Sequence, residues 1–177
     1  PFVMDHGRGS DVWDVDGHHF LDFAAGIAVT ATGHSHPKVV QAIKDQSEKF
    51  LHISADFYHE AWVDLGERLD MIAPFKEDAV SFMTNSGTES VEAAIKLARK
   101  YGHDNLGGRY EILTMKGSFH GRTMGAVSLT SSSVKYRTGY HPLLPSVYRS
   151  IYPYCYRCMV GRRPETCEID CLKYMDY

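Results

Sequence analysis

Between residues 79 and 115 the apolar pattern changes period twice, and nothing else in this 177-residue chain limits its fold as much. Ala79-Val-Ser-Phe-Met-Thr84 has the length and composition of a short buried strand, and it runs into Asn85-Ser86-Gly87. From Gly87 the period becomes that of a helix, with Val91, Ala94, Ile95 and Ala98 on one face. Glu92 stands four residues before Lys96, the spacing of a helical ion pair. Gly107-Gly108 interrupts, and Tyr110-Glu-Ile-Leu-Thr-Met115 reads as a second strand. Strand, helix, strand at this spacing is a βαβ unit, which predicts a parallel sheet covered by helices and hence an α/β fold.

Upstream the pattern is different. The run Asp11 to Phe23 alternates apolar and polar residues about Asp16-Gly17, a strong hairpin signal. Ala24 to Thr32 is small and apolar and reads as a buried loop or short strand. His34-Ser-His-Pro37 opens a helix with Pro37 at its start, where a missing N–H costs little. Val39, Ala42, Ile43, Gln46 and Phe50 carry it to about His52. A second helix covers Glu60 to Ile72, with Trp62, Leu65, Leu69 and Ile72 on one face and Pro74 as its stop. Downstream, Val147 to Tyr152 reads as one more strand. A boundary near 53–58 separates residues 1–56 from an α/β portion, 57–177.

Composition excludes several classes. Hydrophobic residues at 44% and charged residues at 23% are globular values, not those of a disordered tail or a fibre. Lys and Arg number 19 against 22 Asp and Glu, a formal charge of −3 that argues against phosphate-neutralising nucleic-acid binding. No apolar run nears the roughly 20 residues that span a bilayer, so no membrane partner is expected. The opening Pro1-Phe-Val-Met-Asp-His6 is neither a signal peptide nor an initiator start, which leads us to expect a cytoplasmic chain with further residues upstream.

Two segments carry chemistry. Asn85-Ser86-Gly87-Thr88-Glu89 lies at the carboxyl end of a predicted strand and opens a helix, the place where ligands meet open parallel sheets. The unpaired N–H groups of a first helical turn suit phosphate, Gly87 permits close approach, and Ser86 and Thr88 add hydroxyls. The same residues also fit a capping box, in which Ser and Glu satisfy each other's backbone donors. Lys116-Gly-Ser-Phe119-His120-Gly121-Arg122-Thr123 follows the next strand. There Phe119 or His120 offers a surface to stack a flat heterocycle, and Arg122 a fork for a carboxylate. Taken singly, Phe119 also fits a core position and Arg122 a solvated surface charge.

Read together, these segments closely resemble the class III aminotransferases, the family of the 4-aminobutyrate and acetylornithine enzymes. The resemblance rests on Asp14-Val-Asp-Gly17, Leu21-Asp-Phe23, Gly26-Ile-Ala-Val29 and Gly33-His-Ser-His-Pro37, then Asn85 to Arg99 and Ser118 to Thr123. It implies a fold-type I pyridoxal phosphate (PLP) enzyme, here the N-terminal small-domain segment plus the first part of the large parallel-sheet domain. It assigns Ser86, Gly87 and Thr88 to the cofactor phosphate, Phe119 to stacking on the pyridine ring with His120 beside it, Arg122 to a substrate carboxylate, and Ile27 to an apolar pocket wall. The implied reaction moves an amino group from an ω-amino or diamino acid to a 2-oxo acid, in a homodimer. The Schiff-base Lys and the acid under the pyridine nitrogen match no motif here. Lys135 comes too soon after Phe119, with no strand between them to carry the acid, and Lys116 fares no better. The chain therefore reads as an N-terminal fragment, inactive alone. A racemase of the same fold is the alternative reaction.

Every cysteine falls in one stretch, Cys155-x2-Cys158-x8-Cys167-x3-Cys171. Thiolates at these spacings suit a structural Zn²⁺ or an iron–sulfur centre, which makes a non-catalytic metal-stabilised module a further alternative. Free thiols or two disulfides are the other possibilities for these residues. His18-His19 and His34-x-His36 lack a third ligand and read as turn and capping residues.

Overall fold

The turn marked by Asp16-Gly17 is made, and a buried carboxylate organises it. In the computed structural model, which describes residues 2–175, Asp14 Oδ1 accepts the amides of Asp16 (3.1 Å) and His18 (2.8 Å), while Oδ2 pairs with His18 Nδ1 at 2.9 Å. Strands β2 (Asp11–Asp14) and β3 (His19–Leu21) flank it in antiparallel register. An earlier strand, β1 (Met4–Arg8), adds to the other edge of β2, giving the order β1-β2-β3. Trp13 of β2 stacks between His6 and His19 of its neighbours, at 4.7 and 4.9 Å between ring centroids.

Residues 24–32 differ from the buried loop or strand expected of them. Ala25–Ala28 forms a single turn, α1, with φ of 47° at Ala25, 63° at Gly26 and Ile27, and 61° at Ala28, so the turn is left-handed. For L-residues that hand costs roughly 1–2 kcal/mol each. Asp22 holds the turn's entry. Its Oδ1 accepts from Ala24 N (2.8 Å) and Ala25 N (2.9 Å), and its Oδ2 meets His34 Nε2 at 2.6 Å. The hydrogen bond from His34, with those two amides, holds the Asp22 carboxyl below the usual range. His34 is itself fixed by backbone bonds in both directions with Gly9, at 2.8 and 2.9 Å.

Helix α2 (Pro37–Lys49) begins with Pro at its first turn, and α3 (Glu60–Ile72) ends just before Ala73-Pro74. His36 occupies the cap position of α2 without bonding through its ring. Neither helix buries a residue, so both apolar stripes stay open to solvent among the described residues. By its own contacts the chain divides into two units, Pro1–Glu77 and Asp78–Tyr177. Helix α3 thus groups with the first unit, whereas a boundary at 56 sets it with the second.

In the second unit the parallel pairing among the described residues joins the strand read at 110–115 to the one read at 147–152. Residues 79–84 join neither sheet, and Val80 is 99% exposed. A strand needs a ladder, and none of the described strands pairs with this run. The parallel pair is β4 (Ile112–Met115) with β5 (Val147–Ser150), in register Ile112 to Val147 through Met115 to Ser150. Between them the chain crosses over through α5 (Met124–Leu129), which packs on the long helix α4 (Gly87–Asn105). Ile95, Ala126, Val127, Leu129 and Ile151 form the core, interleaved with buried Thr114, Ser128, Thr130 and Ser150.

The inner face of α4 is offset from the apolar stripe. Ile95 is buried and Val91 half-buried, but Ala94 and Ala98 are exposed. Thr88, Glu92, Ile95, Arg99 and Gly102, at four- and three-residue steps, face the rest of the unit. Arg99 donates to the carbonyls of Tyr110 (3.2 Å) and Pro145 (2.7 Å), and Gly102 is buried against the Arg109 carbonyl. The expected Glu92–Lys96 ion pair does not form. Glu92 instead faces the loop before α5.

Candidate functional site

Ser86 caps α4 from an extended conformation, its Oγ accepting from Glu89 N at 3.2 Å. Glu89 reaches back to Asn85 N at 2.7 Å, one residue short of the reciprocal partner that a capping box requires. Capping thus uses the amides of Glu89 and Asn85. Those of Gly87 and Thr88 enter no hydrogen bond among the described residues, and they stand at the positive end of a 19-residue helix. Both sequence readings of this segment therefore coexist: capping consumes two donors and leaves two for an anion.

The second motif is set against the first. Gly121 is buried with φ of 129°, and a Cβ there would come within 3.0 Å of Thr88 Cβ and nearer still to its hydroxyl. Only a glycine fits so tight an approach at that φ. Two tethers hold the surrounding loop. Thr130 is fully buried, accepts from His120 N (2.9 Å) and donates to Gly121 O (3.0 Å). On the other side, Thr123 Oγ1 donates to Glu92.

Phe119 is half exposed and meets Tyr136 edge-on, at 5.5 Å and 72°. The Arg122 guanidinium lies 5.0 Å from the centre of the same ring, and Lys135 Nζ lies 5.2 Å from it. Arg122 makes no ion pair among the described residues, so its charge is available. It lines a cavity of about 520 Å³ with Met124, Val127, Lys135, Tyr136 and Tyr140. His120 lines another, of about 640 Å³, beside Lys116, Ser118 and Tyr152 at the carboxyl end of β4. Its Nδ1 is buried without a partner. Ile27 belongs to the first unit, where it is 92% exposed on the left-handed turn. Sequence reasoning missed Glu92, Thr130 and Tyr136. Polar residues recurring on one helical stripe with Ile95 were the available signal for Glu92.

The cysteine stretch corrects a sequence expectation. All four thiols are free, and no three of them come within ligand distance of one another among the described residues. Three separate 3₁₀ turns, at Cys155–Arg157, Pro164–Thr166 and Leu172–Met175, carry the backbone of this stretch. The residues thus do not fit a Zn²⁺ or an iron–sulfur cluster. Asp14, Asp16 and His18 do lie close together, but the buried Asp14 is committed to the hairpin turn.

The second unit, with its parallel strands β4 and β5 and the aromatic–Arg loop beyond β4, shares its fold with the fold-type I, PLP-dependent transaminases. An amine transaminase from an uncultivated Pseudomonas species, in its PLP-bound form, superposes with a TM-score of 0.88 at 26% identity, over 99% of this chain and 40% of that one. The ornithine aminotransferase of Toxoplasma gondii gives 0.79 at 25% identity, over 86% and 36%. The Aminotransferase class-III family model matches residues 1–175, and the chain belongs to that family. It is 45% identical over 152 residues to the acetylornithine aminotransferase of Bifidobacterium longum, 82% of this chain and 35% of that protein. A probable 4-aminobutyrate aminotransferase of Bacillus subtilis is 38% identical over 161 residues, 90% of this chain and 36% of that protein. The chain thus spans about a third of the length of these curated relatives.

PLP is the cofactor that this family implies, and the residues present fit it. Two uncommitted amides, a half-exposed ring at Phe119 and an orphaned nitrogen on His120 are the kinds of group that a phosphate-bearing heterocycle satisfies.

Proposed function

We propose that this chain supplies the phosphate cradle and the carboxylate-recognition loop of a transaminase that moves an amino group from an ω-amino or diamino acid to a 2-oxo acid. One observation carries the proposal: Gly121 of the aromatic–Arg loop is packed on Thr88 of the anion cradle, which supports reading the two motifs as parts of one site. When bound, PLP supplies the electron sink for this chemistry. Gly87 and Thr88 hold its phosphate through their amides, with the Ser86 hydroxyl adjacent. Phe119 covers the ring, His120 supports it, and Arg122 orients the donor by its carboxylate. The names of the relatives, acetylornithine and 4-aminobutyrate aminotransferases, support this donor class. We place the enzyme in the cytoplasm. The family resemblance implies a homodimer. We retain residues 1–56 as the small-domain segment.

The test is a donor panel of 4-aminobutyrate, N-acetylornithine and ornithine, with 2-oxoglutarate as acceptor and the full-length protein as enzyme. Amino transfer from at least one donor is expected, and transfer from none overturns the proposal. The 177-residue chain alone should be inactive.

A further inference from the structure

Glu92 is the side chain through which α4 reaches the loop before α5. It lies on the second turn of α4, and its Oε1 takes two donors from the start of the other helix: the hydroxyl of Thr123 and the amide of Ala126, the latter at 3.0 Å. Thr123 is the cap residue of α5 but makes no capping bond of its own. The cap is supplied instead by a carboxylate 34 positions upstream of Ala126. Gly125 makes the approach possible, since a Cβ there would sit 2.8 Å from Glu92 Cδ.

This arrangement bears on Arg122, which immediately precedes Thr123. No acid holds the Arg122 side chain, and its one described contact is the face of Tyr136. Its position therefore depends on where its backbone sets it relative to Tyr136. That backbone is pinned before Arg122 by the Gly121 carbonyl on Thr130, and after it by Thr123 on Glu92. Removing the second pin frees the peptide that aims the guanidinium while leaving the anion cradle intact. The bonds of Ser86, Glu89 and Asn85 do not involve Glu92.

We propose that Glu92 is a positioning residue for substrate recognition: by capping α5 from α4 it fixes where Arg122 meets a carboxylate. This inference rests on the reading that Arg122 binds the donor carboxylate. A hydrogen bond to a charged group contributes enough that its loss corresponds to about a ten-fold change in a binding constant.

The test uses the full-length protein, with KM and kcat measured for a carboxylate-bearing donor and for a primary alkylamine. The affinities of PLP and of glutarate, a dicarboxylate with no amine, are measured on the cofactor-free protein. Glu92→Ala should raise KM for the carboxylate donor and weaken glutarate by about ten-fold, with PLP affinity and alkylamine KM within about three-fold of the parent. Glu92→Gln keeps an acceptor oxygen of the same reach and should recover most of the loss. Gly125→Ala retains Glu92 but intrudes on its carboxylate, and should reproduce the defect even if Glu92→Ala does not fold. Equal losses for both donors, weakened PLP with unchanged glutarate, or parental behaviour of Gly125→Ala overturns the proposal. The underlying reading fails separately: in that case Arg122→Lys itself does not distinguish the two donors.

Discussion

The loop that carries Phe119 and Arg122 and the stretch that carries the four cysteines are both short, and neither builds a regular element across its motif. Their ties to the rest of the unit differ. The first is held by hydrogen bonds that reach 31 and 34 positions back, from Thr123 and Ala126 to Glu92, and by the fully buried Thr130, bonded to His120 and Gly121. The second is held by near neighbours: 3₁₀ turns, Arg162 on Asp170 at 2.6 Å, and Lys173 on Asp170 at 2.5 Å. Local bonds shape a turn but do not bring distant side chains to one point. Convergence on a site needs tethers anchored in the core, and only the first loop has them.

The largest expected effect sharpens the functional side of this contrast. Arg122→Lys should lower kcat/KM for carboxylate-bearing donors by about 2–4 kcal/mol of transition-state stabilisation, because an ammonium does not reproduce a two-point fork. Steady-state assays of the full-length protein should show the loss shrinking for an amine without a carboxylate. A loss equal for both donors would make Arg122 structural.

Next comes the contact between the two motifs. Gly121→Ala places a Cβ against Thr88 at a φ that L-residues rarely adopt, and should cost about 2–3 kcal/mol of stability. Chemical denaturation measures the cost, and a PLP titration should show weaker cofactor binding. Full stability and affinity would mean that the two loops are not packed as described.

A smaller loss is expected from the buried hydroxyl. Thr130→Val keeps the shape but leaves His120 N and Gly121 O without that partner, at about 1–2 kcal/mol. An unchanged denaturation midpoint would show that the loop does not depend on its core tether.

The smallest effect is expected in the cysteine stretch. Replacing Cys155, Cys158, Cys167 and Cys171 together by Ser should alter stability by no more than about 0.5 kcal/mol, as for surface substitutions generally. Elemental analysis of the parent should find no stoichiometric zinc or iron. One equivalent of metal per chain, lost in the quadruple variant, would break the comparison by giving the second stretch a tether of its own.

Much of the fold is legible in the residues because its causes are local. Pro37 and Pro74 bound two helices, Asp16-Gly17 makes its hairpin, and Ser86 caps α4, each through backbone geometry within a few positions. The motif order also suffices to place the chain in its family. Other features depend on partners distant in sequence. Apolar periodicity points to Val91, Ala94, Ile95 and Ala98 as the inner face of α4, whereas the tertiary structure turns Glu92, Arg99 and Gly102 inward because Thr123, the Tyr110 carbonyl and the Arg109 carbonyl await them. None of the described strands pairs with residues 79–84, and α1 takes a left-handed path that Asp22 and His34 hold in place. Periodicity records which side chains avoid water. Which polar side chains are drawn inward, and which runs pair, is decided by donors and acceptors that meet only once the chain has folded.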